Sequence, residues 1–337
     1  MVNAAAEDAG TVERAMVNAA AADAWTVEPS THGTPHAVQA PQRRTAATIP
    51  HVWQATAANP RRLKNPNMLT DEFLLALAER LRHVGGVQAV VLGGSRARGT
   101  AQADSDYDIG LYFDTAAGFD LNALNVVARD VDDEHRDALC TPVGGWGTWV
   151  VGGGWLRISG GAVDFIYREL PVVRTFVADC LAGRIVVGYQ PGHPFGFVSS
   201  IYAGEAATCR VLWERDGVLT DLKTRLTPYP PPLARAIIGK FLFEAGFCVD
   251  IAAKPVRRGD IPYVAGALYR GAMCLTQVVY ALNDQWWLNE KGAVSLTGSF
   301  ARAPANYAAR VGEMFACDPV RGIAMLTQLN VEVGALV

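Results

Sequence analysis

The run Val90-Val91-Leu92-Gly93-Gly94-Ser95, followed twelve residues after Gly94 by Asp106-Tyr107-Asp108, leaves few folds open to this chain. An apolar strand that breaks at Gly-Gly-Ser must turn sharply, and the strand after it opens with two carboxylates spaced i, i+2. Alternate residues of a strand share a face, so Asp106 and Asp108 are expected to point the same way. Side by side they repel unless a cation lies between them. Mg²⁺ suits that position, as an oxygen-seeking ion commonly held by one or two carboxylates plus substrate phosphates. The small residues of the turn let backbone N–H groups approach a polyphosphate, and a short helix expected from Ser95 adds its positive end. A metal clamp beside a phosphate cradle points to nucleotide chemistry.

Gly94-Ser95, then Ser105-Asp106-Tyr107-Asp108, resembles the signature of the polymerase-beta-like nucleotidyltransferase superfamily, a Gly-Ser turn with Asp-x-Asp about ten residues on. That family has a third carboxylate on a later strand, and Asp164 in Ala162-Val163-Asp164-Phe165-Ile166-Tyr167 matches it. The resemblance covers residues 87–168. It implies an α+β core with a mixed sheet, in which Asp106 and Asp108 bridge two Mg²⁺ ions. Asp164 would complete the first ion and receive or orient the proton of an attacking hydroxyl. Gly94 and Ser95 would hold the β- and γ-phosphates of a nucleoside triphosphate. Arg96 and Arg98 do not share a helix face. One of them is expected at the triphosphate, and Arg98, just before Gly99, is the choice; surface ion pairing is the alternative for each.

The segment 275–282 followed by Trp286-Trp287-Leu288-Asn289-Glu290-Lys291-Gly292 resembles the corresponding part of antibiotic nucleotidyltransferases. There a lysine from a second domain reaches the triphosphate, a role that falls on Lys291; a solvated lysine at a helix end is the plainer reading. Lys240 and Glu244, one turn apart, read either as phosphate contact and general base or as a simple salt bridge. Glu205 is a further candidate base. Trp286 and Trp287 suit stacking on a ring, though aromatic residues at a helix end usually belong to a core.

The 337 residues suffice for two domains, with half of them hydrophobic and a net charge of −3. That balance argues against a protein whose main task is gripping duplex nucleic acid. The six cysteines are scattered without a Cys-x-x-Cys pair, as expected of reduced thiols in a cytoplasmic protein. No apolar run is long enough to span a membrane. Met1-Val2-Asn3-Ala4-Ala5-Ala6 recurs as Met16-Val17-Asn18-Ala19-Ala20-Ala21, and Pro, Thr and Ala dominate from Pro29 to Pro66. Residues 1–67 therefore read as a disordered leader and linker, with basic clusters at Arg43-Arg44 and at Arg61-Arg62 with Lys64.

Order is expected from Thr70, an N-cap ahead of Asp71, Glu72 and the stripe Phe73, Leu74, Leu77, Leu81. Strands are expected at 87–92 and 106–113, a helix at 119–131, and an antiparallel meander at 148–151, 155–159 and 163–168. Beyond Pro171 the expected helices are 195–216, 232–252, 261–285, 303–315 and 319–335. This divides the chain into a nucleotidyltransferase catalytic domain, 68–170, and an all-α domain, 171–337, that closes on substrate and nucleotide.

What the resemblance implies is metal-dependent transfer of a nucleoside monophosphate, most simply AMP from ATP, onto an acceptor hydroxyl, with release of pyrophosphate. A small-molecule acceptor is the first expectation, and Asp130, Asp132, Asp133, Glu134 and Asp137 would suit a cationic one. A toxin-type enzyme acting on protein or RNA is one alternative, and a non-catalytic nucleotide- or partner-binding module is another. The fold cannot name the acceptor.

Overall fold

The computed structural model describes residues 69–337; the expected leader and its basic clusters lie outside them. Helix α1, Asp71–Leu81, starts as its sequence dictates. Thr70 caps it, its hydroxyl accepting the Phe73 N–H at 3.1 Å, with Asp71 and Glu72 in the first turn. Leu74, Leu77 and Leu81 are buried.

Strands β1 (Val87–Leu92), β2 (Tyr107–Phe113), β3 (Gly153–Ile158) and β4 (Gly161–Glu169) share one sheet with a later strand, β7 (Arg210–Glu214). Their order is β3-β4-β2-β1-β7. β2 and β4 run parallel, and every other neighbouring pair is antiparallel, so the sheet is mixed.

The two faces are distinct. Ile109, Leu111, Phe113, Val163, Phe165, Tyr167 and Leu156 form one, packed against α1 and against Leu124 and Ala128 of α3, Leu121–Val131. The one-turn α2, Gly94–Ala97, follows β1. The other face carries Asp108 and Tyr112 of β2 with Asp164 and Arg168 of β4. Tyr112 joins the larger core with helices α4 (Leu170–Leu181) and α5 (Ser200–Thr208), whereas Asp108 and Asp164 lie outside both cores. This face is covered at one end and open at the carboxylate end.

The rest is mainly helical: α6 (Val218–Arg225), α7 (Pro231–Arg257), α8 (Ile261–Leu282), the short α9 (Ala293–Leu296), α10 (Tyr307–Ala316) and α11 (Pro319–Gly334), with a two-strand ribbon of β5 (Val187–Gly188) and β6 (Phe197–Val198). No helix among the described residues is long and apolar enough to cross a membrane.

Three expectations are corrected. Residues 195–216 do not form one helix: β6, α5 and β7 divide them, because the chain turns extended at Cys209 and Arg210–Glu214 pairs with β1. α4 and α6 arise where no helix was expected, α4 with Pro171 in its first turn, where a missing N–H costs nothing. Residues 148–151 form no strand. The buried Gln190 takes over the pairing there: its Oε1 accepts the Trp149 and Val150 N–H groups, each at 3.0 Å, and its Nε2 donates to the Trp146 carbonyl at 2.9 Å. Gln190→Ala strands two backbone donors and is expected to cost about 2–3 kcal/mol, read as a lower urea midpoint at unchanged m.

Candidate active site

The turn after β1 is fitted to the carboxylate beside it. Gly93 N–H donates to the Asp108 carbonyl at 2.7 Å, and Gly94 has φ of +59°. A Cβ at Gly94 would stand 1.7 Å from Asp108 Oδ2, so only glycine lets the turn lie against that carboxylate. Ser95 is half-exposed, and its carbonyl accepts the Thr100 N–H at 3.0 Å. Arg96 is a structural clamp. Its guanidinium sits 3.6 Å over the Tyr107 ring and donates to the Ser105 carbonyl at 2.6 Å and the Asp106 carbonyl at 3.2 Å. It thereby ties down the loop that delivers Asp106. Arg98 is half-buried, with Nε 3.2 Å from the Gly94 carbonyl. Its charge also reaches Tyr280 of α8, whose phenol burial pushes up to about 12 and Arg98 draws back.

Asp106 is exposed, one residue ahead of β2. Asp108 and Asp164 are direct partners in the parallel β2–β4 register. No hydrogen bond from the described residues reaches either carboxylate. Burial, then the negative charges of Glu205 and Asp106, push Asp108 up to about 6, against the pull of Lys291 and Arg168. Asp164 is pushed up to about 7 by burial, then by Asp106 and Asp108, again against Lys291. The three carboxylates and Lys291 thus share one electrostatic field. Among the described residues no set of three or more His, Cys, Asp or Glu side chains is arranged to hold a metal ion. What the backbone fixes is the Asp108–Asp164 pair: two undonated, mutually repelling oxygen ligands on one face, a donor set that suits a hard divalent cation.

Lys291 is exposed beyond α8. Its neighbour Glu290 is its anchor, 8% exposed, with Oε2 3.1 Å from His193 Nδ1 and Oε1 accepting the Phe195 N–H at 3.0 Å. Glu244 pairs with Arg270 at 2.6 Å rather than with Lys240. Both Glu244 and Lys240 line a separate cleft of about 840 Å³ with Tyr189, His193, Phe243 and Phe247. Trp287 is buried against Phe195 and Tyr280, and Trp286 packs on Tyr229, so both belong to the core. The acidic cluster is spent locally: Asp130 pairs with Arg80, Asp132 with Arg136, Glu134 with Arg157 and Asp137 with Arg129.

Two features escaped the sequence reading. Arg168, 4% exposed, forms a two-pronged pair with Glu205, at 2.6 and 2.7 Å, on the sheet face of Asp164. Trp155 of β3 is the direct partner of Asp164 and stacks on Trp146 with ring centroids 4.6 Å apart. The alternation of Gly153–Ile158 was the available signal, since it puts Trp155 on the water-facing side.

The raised pKa values fix a stability trend. Unfolded, both carboxylates return to about 4, so folding favours their protonated forms. That contribution is complete below about pH 4 and is lost as pH rises through about 6 and 7. Metal-free protein is therefore expected to lose thermal stability between pH 5 and 8. Asp164→Asn should flatten the trend in EDTA, and Mg²⁺ should raise the wild-type Tm at pH 8; differential scanning calorimetry reads both.

Residues 72–140 match the family model described as the nucleotidyltransferase domain, a span that includes Gly94, Ser95, Asp106 and Asp108. No curated protein matches the chain. Among solved structures, the chain is similar to a nucleotidyltransferase-like protein from Exiguobacterium sibiricum, with 10% identity over 77% of this chain and 70% of that one, at a TM-score of 0.35. Residues 72–140 are a nucleotidyltransferase domain of the polymerase-beta-like kind.

Proposed function

We propose that the chain transfers a nucleoside monophosphate, AMP from ATP in the first instance, to the hydroxyl of a small-molecule acceptor in a Mg²⁺-dependent reaction in the cytoplasm. The observation that carries this reading is the Asp108–Asp164 pair, set in register with Asp108 lying against the Gly94 turn. The acceptor oxygen attacks the α-phosphorus and forms a new O–P bond. The bond from that phosphorus to the bridging oxygen breaks, and its electron pair leaves with pyrophosphate. The acceptor proton passes to Asp164 or to a water it orients. Two Mg²⁺ ions on Asp106, Asp108 and Asp164 would supply Lewis-acid stabilisation of the attacking and leaving oxygens. Gly94 and Ser95 take the β- and γ-phosphates, Lys291 adds a mobile point charge, and Arg98 stands behind the turn.

Incubation with α-³²P-labelled ATP, GTP, CTP and UTP in host lysate tests this. The expected result is a labelled, Mg²⁺-dependent small-molecule product that vanishes in Asp106→Ala/Asp108→Ala. Label on protein or RNA would favour toxin-type transfer, and folded protein that binds nucleotide without transfer would favour a binding module. Once an acceptor is in hand, Asp164→Asn should lower kcat by about 10²–10⁴-fold with a nearly constant KM for ATP, in steady-state kinetics. Lys291→Ala should instead act mainly on the KM for ATP.

A further inference from the structure

Four pieces lie in a row across the sheet. The Gly94–Ser95 turn follows β1, Asp108 lies on β2, Asp164 on β4, and β3 forms the edge beyond. Trp155 of β3 is the antiparallel partner of Asp164, and such partners stand on the same face. Its indole is 60% exposed, although its ring stacks on Trp146 at an interplanar angle of 20°. Neither tryptophan belongs to a hydrophobic core.

The pair is nonetheless built. Trp146 packs over Gly153, where a Cβ would come within 2.5 Å of its ring. Gln190 Nε2 holds the Trp146 carbonyl at 2.9 Å, and Arg136 Nη2 reaches the Trp155 carbonyl at 3.3 Å. A fixed, water-facing indole pair contributes little to folding, whereas a ligand ring laid on it gains stacking and apolar contact.

We infer that Trp155, backed by Trp146, is the platform on which the acceptor lies, and that the acceptor presents a flat ring beside the hydroxyl it offers. The ring is either aromatic or the C–H face of a sugar. This rests on the nucleotidyl-transfer reading above. Attacking and leaving oxygens stand roughly in line through the transferred phosphorus. Pyrophosphate departs toward the Gly94–Ser95 turn, so the attacking oxygen arrives from the opposite side of the row, past Asp164, where Trp155 stands. The nucleobase is the rival occupant of the platform.

Titrations followed by saturation-transfer NMR on the full chain separate these cases, with tyramine as aromatic probe, methyl β-D-glucopyranoside as sugar probe, and Mg²⁺–ATP. At least one ring probe is expected to bind the wild type, about fivefold or more weaker to Trp155→Ala, with Trp155→Phe close to wild type. Mg²⁺–ATP affinity should change by less than about twofold in both variants. The inference is overturned if neither ring probe binds, if Trp155→Ala binds the probe as the wild type does, or if ATP weakens by the same factor. It is also overturned if Trp155→Ala dissolves a self-associated species in sedimentation, which would make the pair an interface. Failure of the nucleotidyl-transfer reading shows separately, as wild-type protein that either does not bind Mg²⁺–ATP or binds it and transfers no label.

Discussion

The parallel pairing of β2 with β4 is the constraint on which the rest of the site depends. It sets Asp108 directly beside Asp164, an arrangement the two charges alone would resist. The resistance is overcome from the opposite face. Ile109, Leu111, Phe113, Val163, Phe165 and Tyr167 are fully buried there, and a slip of one residue would turn Asp164 inward and this apolar set outward. The hydrophobic face thus fixes the register, and the register forces the carboxylates together.

Why the conflict is not relieved from within is explained by Arg168. It lies on the same face of β4 as Asp164 and is the nearest buried cation on that strand. Left unpaired, it would compensate the carboxylates. Glu205 of α5 engages it through both oxygens instead, and at Asp108 the repulsion from Glu205 outweighs the attraction of Arg168. Burying an arginine demands such a partner. The helix that closes one end of the sheet therefore also keeps the open end short of positive charge, which a divalent cation with a polyphosphate can supply.

What was legible in the sequence was whatever a local pattern determines. α1 follows from a cap and a stripe, β1 and β2 from apolar runs bounded by glycine and aspartate, and the long α7 and α8 from sustained periodicity. Asp106 and Asp108 could be named as candidates from their i, i+2 spacing, and Asp164 from the resemblance to the nucleotidyltransferase superfamily. Neighbourhood in the sheet was not legible. That β7 would leave a helical-looking stretch to pair with β1, or that Gln190 would replace a ladder at Trp149 and Val150, depends on partners far along the chain. The tryptophans show the limit clearly. Trp286-Trp287 stood out as a doublet and proved to be core, whereas Trp146 and Trp155, set among glycines, gain their meaning only when β3 docks beside Asp164.

The same dependence governs Lys291, the one positive charge among the described residues that reaches both raised carboxylates from a distant element. A lysine on a loop has many rotamers, and its position is defined only as well as its backbone. Glu290 supplies that definition. Its carboxylate is buried against His193 and the Phe195 N–H, so this residue of the loop cannot swing away from the β5–β6 ribbon. With Glu290 turned inward, its neighbour is left at the surface, where its ammonium draws down the pKa values of Asp108 and Asp164. An anchored loop with a mobile tip keeps the charge within reach of the open face without committing it to either carboxylate, which leaves it free for an incoming anion.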